Sequence, residues 1–126
     1  MFRKISLLFV SLLFLAACTS KDVTFSGQTD NWEAELMITQ NSDTFENQDF
    51  VLEYKGDEVD SVGKIAYNVD SIGGGFGREG ESLDENGSIR DGRESRASTG
   101  EIPEDAEVEV TVEWNGQTET FTLNRE

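Results

Sequence analysis

The sequence predicts an all-β protein, a single antiparallel β-sandwich of about seven strands. Apolar and polar residues alternate with period two in run after run, and most runs close on a glycine or an asparagine-glycine pair. No stretch beyond residue 18 sustains a convincing helical period. Composition alone pulls the other way. The 126 residues carry 26 acidic against 10 basic side chains, a formal charge of −16, and such a balance is common in disordered chains. Here the alternation decides for a fold, because it places the acids on the wet faces of strands.

The N-terminus is set apart from the rest. Arg3 and Lys4 precede Ile5 to Ala17, thirteen residues without a charge, and small residues follow. That order reads as an export signal, and thirteen residues fall short of the roughly 20 that a spanning helix needs. The chain's one cysteine, Cys18, stands where the apolar run meets polar sequence. The tetrad Leu15-Ala16-Ala17-Cys18 resembles the lipobox of bacterial lipoproteins. The resemblance implies a diacylglyceryl thioether on Cys18, cleavage before it and acylation of the new terminus. Such a group supplies the two or more acyl chains that stable anchoring takes. The expected organisation is a signal peptide over 1–17, a tether over 18–22 and a β-sandwich over 23–126.

Within the domain, "DVTFSG" reads as a short strand. "NWEAELMIT" turns Trp32, Ala34, Leu36 and Ile38 to one side, and "DFVLEYKG" does the same with Phe50, Leu52 and Tyr54. "SVGKIAYNVDS" offers Val62, Ile65, Tyr67 and Val69, with Gly63 marking a bulge. "ESLDENGSIR" reads as a small hairpin about Asn86-Gly87. The strongest segment is "EVEVTVEWNGQTETFTL". Val108, Val110, Val112 and Trp114 alternate with polar residues up to Asn115-Gly116, a type I′ turn pair. Folding about that turn sets Val110 against Phe121 and Val108 against Leu123 on one face. On the other, Thr111 meets Thr120 and Glu109 meets Thr122. Short strands at this spacing suggest an immunoglobulin-like architecture, without the paired cysteines of immunoglobulin domains.

Loss of residues 1–17 removes Arg3, Lys4 and no acid, taking the charge from −16 to −18. Nucleic acid is not an expected partner, since phosphate contacts need clustered Lys and Arg. The chain has no histidine, no P-loop and no dinucleotide-binding turn, so neither an enzyme nor a cofactor is expected. Acidic pairs that could serve a hydrolase are too abundant to single out. Two stretches are candidates for partner binding. "DSIGGGFGREGE" sets Phe76 among glycines, either as an exposed contact or tucked over the core from an irregular edge. "IRDGRESRASTG" brings Arg90, Arg93 and Arg96 together as a cationic spot, which would grip a carboxylate or phosphate or else pair with Asp91 and Glu94. A second reading is a calcium- or small-ligand-binding accessory protein, with oxygen ligands at Asp84 or at Asp57, Glu58 and Asp60 and no complete calcium-loop motif.

Over residues 23–123 the chain resembles a group of small lipoproteins of Gram-positive bacilli. The stretches "TFSGQTDNWEAEL", "YKGDEVDSVGKIAYNVDS", "GGGFGREG" and "EVEVTVEWNGQTETFTL" carry that likeness. The resemblance implies an extracellular domain held at the membrane through Cys18 and brings no activity with it. The expected function is a lipid-anchored interaction module for another envelope protein. Its place is the outer face of the cytoplasmic membrane, or the outer membrane in a Gram-negative cell.

Overall fold

A computed structural model describes residues 21–40, 45–71, 74–96 and 102–126. The expected signal segment and Cys18 lie outside these residues. Among the described residues there are eight strands: β1 (Lys21–Gln28), β2 (Trp32–Gln40), β3 (Phe45–Tyr54), β4 (Ile65–Ser71), β5 (Gly74–Glu81), β6 (Ser88–Arg96), β7 (Glu107–Trp114) and β8 (Gln117–Arg125). Val59–Ser61 adds one turn of 3-10 helix. Among the described residues, no helix is long and apolar enough to cross a membrane.

The all-β, antiparallel expectation holds, with eight strands where about seven were expected. All eight strands belong to one hydrogen-bonded sheet in the order β5-β4-β7-β8-β1-β2-β3-β6. Every neighbouring pair is antiparallel. An immunoglobulin-like sandwich would divide them between two sheets. Here β8 meets β1 through the pairs Phe25↔Arg125 and Ser26↔Asn124, and the Glu126 N–H adds a bond to the Thr24 carbonyl at 2.9 Å. That junction joins the two halves into one ribbon, curled almost into a barrel, with its edges β5 and β6 facing each other. β1 starts at Lys21, inside the stretch expected as a tether.

Alternation along each strand sorts the side chains. Trp32, Ala34, Leu36 and Ile38 of β2, Phe50 and Leu52 of β3, and Val108, Val110 and Val112 of β7 are buried in one core. The β7–β8 hairpin has the register its alternation dictates, including Val110↔Phe121, Val108↔Leu123, Thr111↔Thr120 and Glu109↔Thr122. Its turn places Asn115 at φ 48° and Gly116 at φ 72°, the pair of positive values a type I′ turn requires. Gly63 is no bulge: at φ 70° it turns the chain between the 3-10 segment and β4.

Glutamates occupy the outer face, and some face each other. Glu33 of β2 stands directly opposite Glu53 of β3, and Asp70 of β4 opposite Glu109 of β7, all four exposed. Like charges opposed in this way destabilise a sheet, whereas opposite charges stabilise it. Glu33→Lys is therefore expected to raise the unfolding free energy by about 0.5 kcal/mol at low salt, a gain that shrinks in 1 M salt. Urea unfolding at the two salt concentrations measures both effects.

Candidate functional site: the open seam between β5 and β6

β5 and β6 follow one another in the chain, run antiparallel and face each other, yet do not pair. Their connection explains why. Asp84 builds the turn: its N–H donates to the Ser88 carbonyl (2.9 Å), while its Oδ1 accepts from the backbone N–H groups of Asn86 and Ser88 (2.9 Å each). The Gly87 carbonyl accepts from the Tyr54 N–H at 2.9 Å, tying the turn to the end of β3. β6 then pairs with β3 from Glu53↔Ser88 to Phe45↔Arg96. β5 is held by β4 on the other side of the gap.

The glycine-rich stretch expected as a loop or irregular edge forms strand β5. Its one apolar residue, Phe76, lies opposite Val69 and points into the core, 8 % exposed. The exposed-contact reading of Phe76 gives way to the tucked one. Between Tyr67↔Arg78 and Ile65↔Glu81, β5 spends one residue more than β4, and Gly80 at φ 67° absorbs the resulting bulge. Gly77 keeps the pairing close, because a Cβ there would collide with the Tyr67 carbonyl oxygen. On the outer surface, Gly77 also floors a groove of about 480 Å³ beside Ala66, Asn68, Arg78, Thr111 and Glu113.

β6 separates the arginines that the sequence set three apart. In a strand an odd spacing sends side chains to opposite faces. Ile89, Asp91 and Arg93 belong to the inner side, and Arg90 projects outward near Glu33, Glu35 and Glu53. Arg96 ends β6 opposite Phe45, and its side chain lies outside the described residues. Two of the expected candidates do meet, since the Arg93 guanidinium lies 4.8 Å from the centroid of the Phe76 ring. The expected pairing of the arginines with Asp91 is present for Arg93.

Asp91 is the centre of the seam, with a side chain wholly shielded from solvent. Its Oδ2 accepts a 2.6 Å hydrogen bond from the Tyr67 hydroxyl and lies 3.4 Å from Arg78 Nε, which reaches over from β5. Its Oδ1 faces Arg93 Nε at 3.5 Å and makes no hydrogen bond. Arg78 also approaches Glu81, Nη1 to Oε1 at 3.7 Å. The two arginine side chains are 51 % and 40 % exposed, so their stems line the gap while their charged ends reach water. Beneath them, Phe50 packs on Tyr67 and edge-on against Phe76, with ring centroids 5.5 and 5.9 Å away. Gln48 and Glu46 of β3 are buried on the same inner side, and Gln48 Nε2 donates to Glu46 Oε1 at 3.4 Å.

Sequence reasoning missed Tyr67 and Arg78 as seam residues and met Asp91 only as an ion-pair partner. Extending the alternation of Ile89 through Asp91 to Arg93 would have placed a carboxylate at an inward position, a signal in itself. For calcium, no group of three His, Cys, Asp or Glu side chains converges among the described residues. Asp84, one of the oxygen donors considered, is engaged by its own turn.

Burial, then the hydrogen bond and the charge of Asp91, push the Tyr67 phenol well above its usual range. The folded state thus favours protonated Tyr67. That contribution is complete below the unfolded value near 10 and is lost as pH climbs above it toward the folded value. Tyr67→Phe is expected to flatten the fall of unfolding free energy above pH 10 by up to about 1.4 kcal/mol per pH unit. Urea melts of both proteins from pH 9 to 11.5 test this; parallel slopes would remove Tyr67 as the cause.

Fold and site together define a class: a one-sheet antiparallel β-protein, curled nearly into a barrel and left open along one polar seam. No family model, curated protein or solved structure matches the chain.

Proposed function

We propose that the protein is a lipid-anchored interaction module of the cell envelope, which takes an extended segment of a partner protein against the free edge of β5. The observation that supports this most is the β5 edge, unpaired among the described residues, along which Gly74, Gly75 and Gly77 carry no side chains to obstruct an incoming backbone. Exposed edges are where extended segments add to sheets. The groove floored by Gly77 offers room for side chains along the same strand.

The anchor in this reading rests on the tetrad Leu15 to Cys18, and it places the domain outside the cytoplasmic membrane. Only Thr19 and Ser20 would separate a lipidated Cys18 from β1, a reach of about 10 Å. The alternating strand directions put the start of β1, the start of β5 and the end of β6 at one end of the sheet. That end would face the headgroups. The seam would then rise from the membrane with Phe76 and Arg93 in its lower half and the Asp84 turn at its top. With no histidine in the chain, the reading assigns the seam no catalytic step.

A photoreactive residue in place of Glu79, on the exposed β5 edge, tests the partner. One reproducible crosslinked envelope protein, absent when the probe replaces Glu109 on β7, is the expected result. Identical products from both positions, or none from Glu79, would sink the edge-addition reading. Labelled palmitate tests the anchor separately: the full chain takes up label and the Cys18→Ala variant does not.

A further inference from the structure

Arg78 and Arg93 come from opposite edges of the seam, yet both turn Nε toward the same buried carboxylate, at 3.4 and 3.5 Å. Each guanidinium carries five N–H donors in a fixed fork, and its ion pair with Asp91 includes no hydrogen bond, so the terminal nitrogens remain for something else. Arg93 is held a second time by the face of Phe76. Its terminal nitrogens have no ion-pair or hydrogen-bond partner among the described residues. Arg78 has only Glu81 at 3.7 Å, a partly exposed contact worth little and easily displaced. With Asp91 and Glu81 beside them, the two half-exposed cations leave this spot near neutral on a chain of net charge −16.

We infer that the Arg78–Asp91–Arg93 cluster recognises a carboxylate carried on a side chain of the extended partner segment. The inference rests on the edge-addition reading and adds the chemistry of what is recognised. The terminal nitrogens of both arginines hold the carboxylate across the seam, a charge-assisted and geometrically selective contact. The segment itself lies on β5, whose backbone edge sets its direction. Asp91 is a positioning residue, touching the partner's carboxylate only through the arginines.

The full chain in detergent micelles, labelled with nitrogen-15, is titrated to millimolar concentration with two peptides. Each has nine residues of alternating threonine and valine, lysine at both ends, and either glutamate or glutamine at the centre. The glutamate peptide is expected to shift the Gly75 and Gly77 amides and the Nε–H signals of Arg78 and Arg93. The glutamine peptide is expected to shift the same amides with roughly tenfold weaker affinity, the difference one charge-assisted contact makes. The preference should vanish in Arg93→Gln. Equal affinity for the two peptides in the unaltered chain would overturn the inference and leave edge addition standing. Shifts of both arginine Nε–H signals by acetate or inorganic phosphate, at the concentrations where the glutamate peptide acts, would overturn it in favour of a small-oxyanion site. If neither peptide moves the β5 amides, edge addition fails and the inference falls with it.

Discussion

Asp91→Ala is expected to lower the unfolding free energy by about 3 kcal/mol, near the lower end for breaking a buried charged pair. The carboxylate accepts from the Tyr67 hydroxyl and offsets two guanidiniums. Its removal strands a buried phenol, at about 1–3 kcal/mol, and leaves β5 with one fewer tie across the gap. The arginines soften the loss because both are partly exposed and turn to water. Asp91→Asn separates the causes. It keeps an acceptor for Tyr67 and removes the charge, so about half the loss should remain. The Tyr67 phenol should then titrate nearer its ordinary range, since the Asp91 charge is one of the things raising it. Urea unfolding of both variants measures the energies. An unchanged midpoint for Asp91→Ala would show that the seam is held without it.

The second large effect belongs to the aromatic cluster at the Trp32 end of the core. Trp32 is fully buried, with ring centroids 5.3 Å from Tyr54 and 5.2 Å from Trp114, the latter nearly perpendicular. Trp32→Ala should cost about 4 kcal/mol through lost burial and the cavity left behind. The indole Nε1 is buried without a hydrogen-bond partner, and such a donor costs about 1–3 kcal/mol. Trp32→Phe discards that donor along with part of the ring, so the two changes oppose each other and the net loss should stay below about 2 kcal/mol. Trp114 remains to report unfolding by fluorescence. If phenylalanine cost as much as alanine, the indole N–H would be contributing a bond of its own.

Local signals made the β7–β8 hairpin legible down to its register. Alternation fixes which residues share a face, and a two-residue turn leaves no freedom in how they meet. The inward sets of β2 and β3 followed from alternation as well. The seam was opaque because its inner positions break the hydrophobic code that reveals strands. β5 offers one phenylalanine among glycines, and β6 turns an aspartate and an arginine inward after Ile89. Both strands owe their place to partners across the sheet, β4 and β3, and neither to a pattern of its own. For the same reason three residues' spacing suggested one arginine cluster, and strand geometry split it. The single-sheet topology was hidden too, since it depends on β8 finding β1.

That junction has a consequence for how the chain comes to its fold. Phe25 and Arg125 are about 100 residues apart in sequence, and the β1–β8 junction closes the largest loop among the described residues. Ordering so long a loop is entropically costly and comes slowly, so hairpins should form early and the closed sheet late. In a chain made from its N-terminus, β1 must wait for β8 before its second neighbour exists. Until then β1, β2 and β3 form an incomplete sheet with an apolar face uncovered.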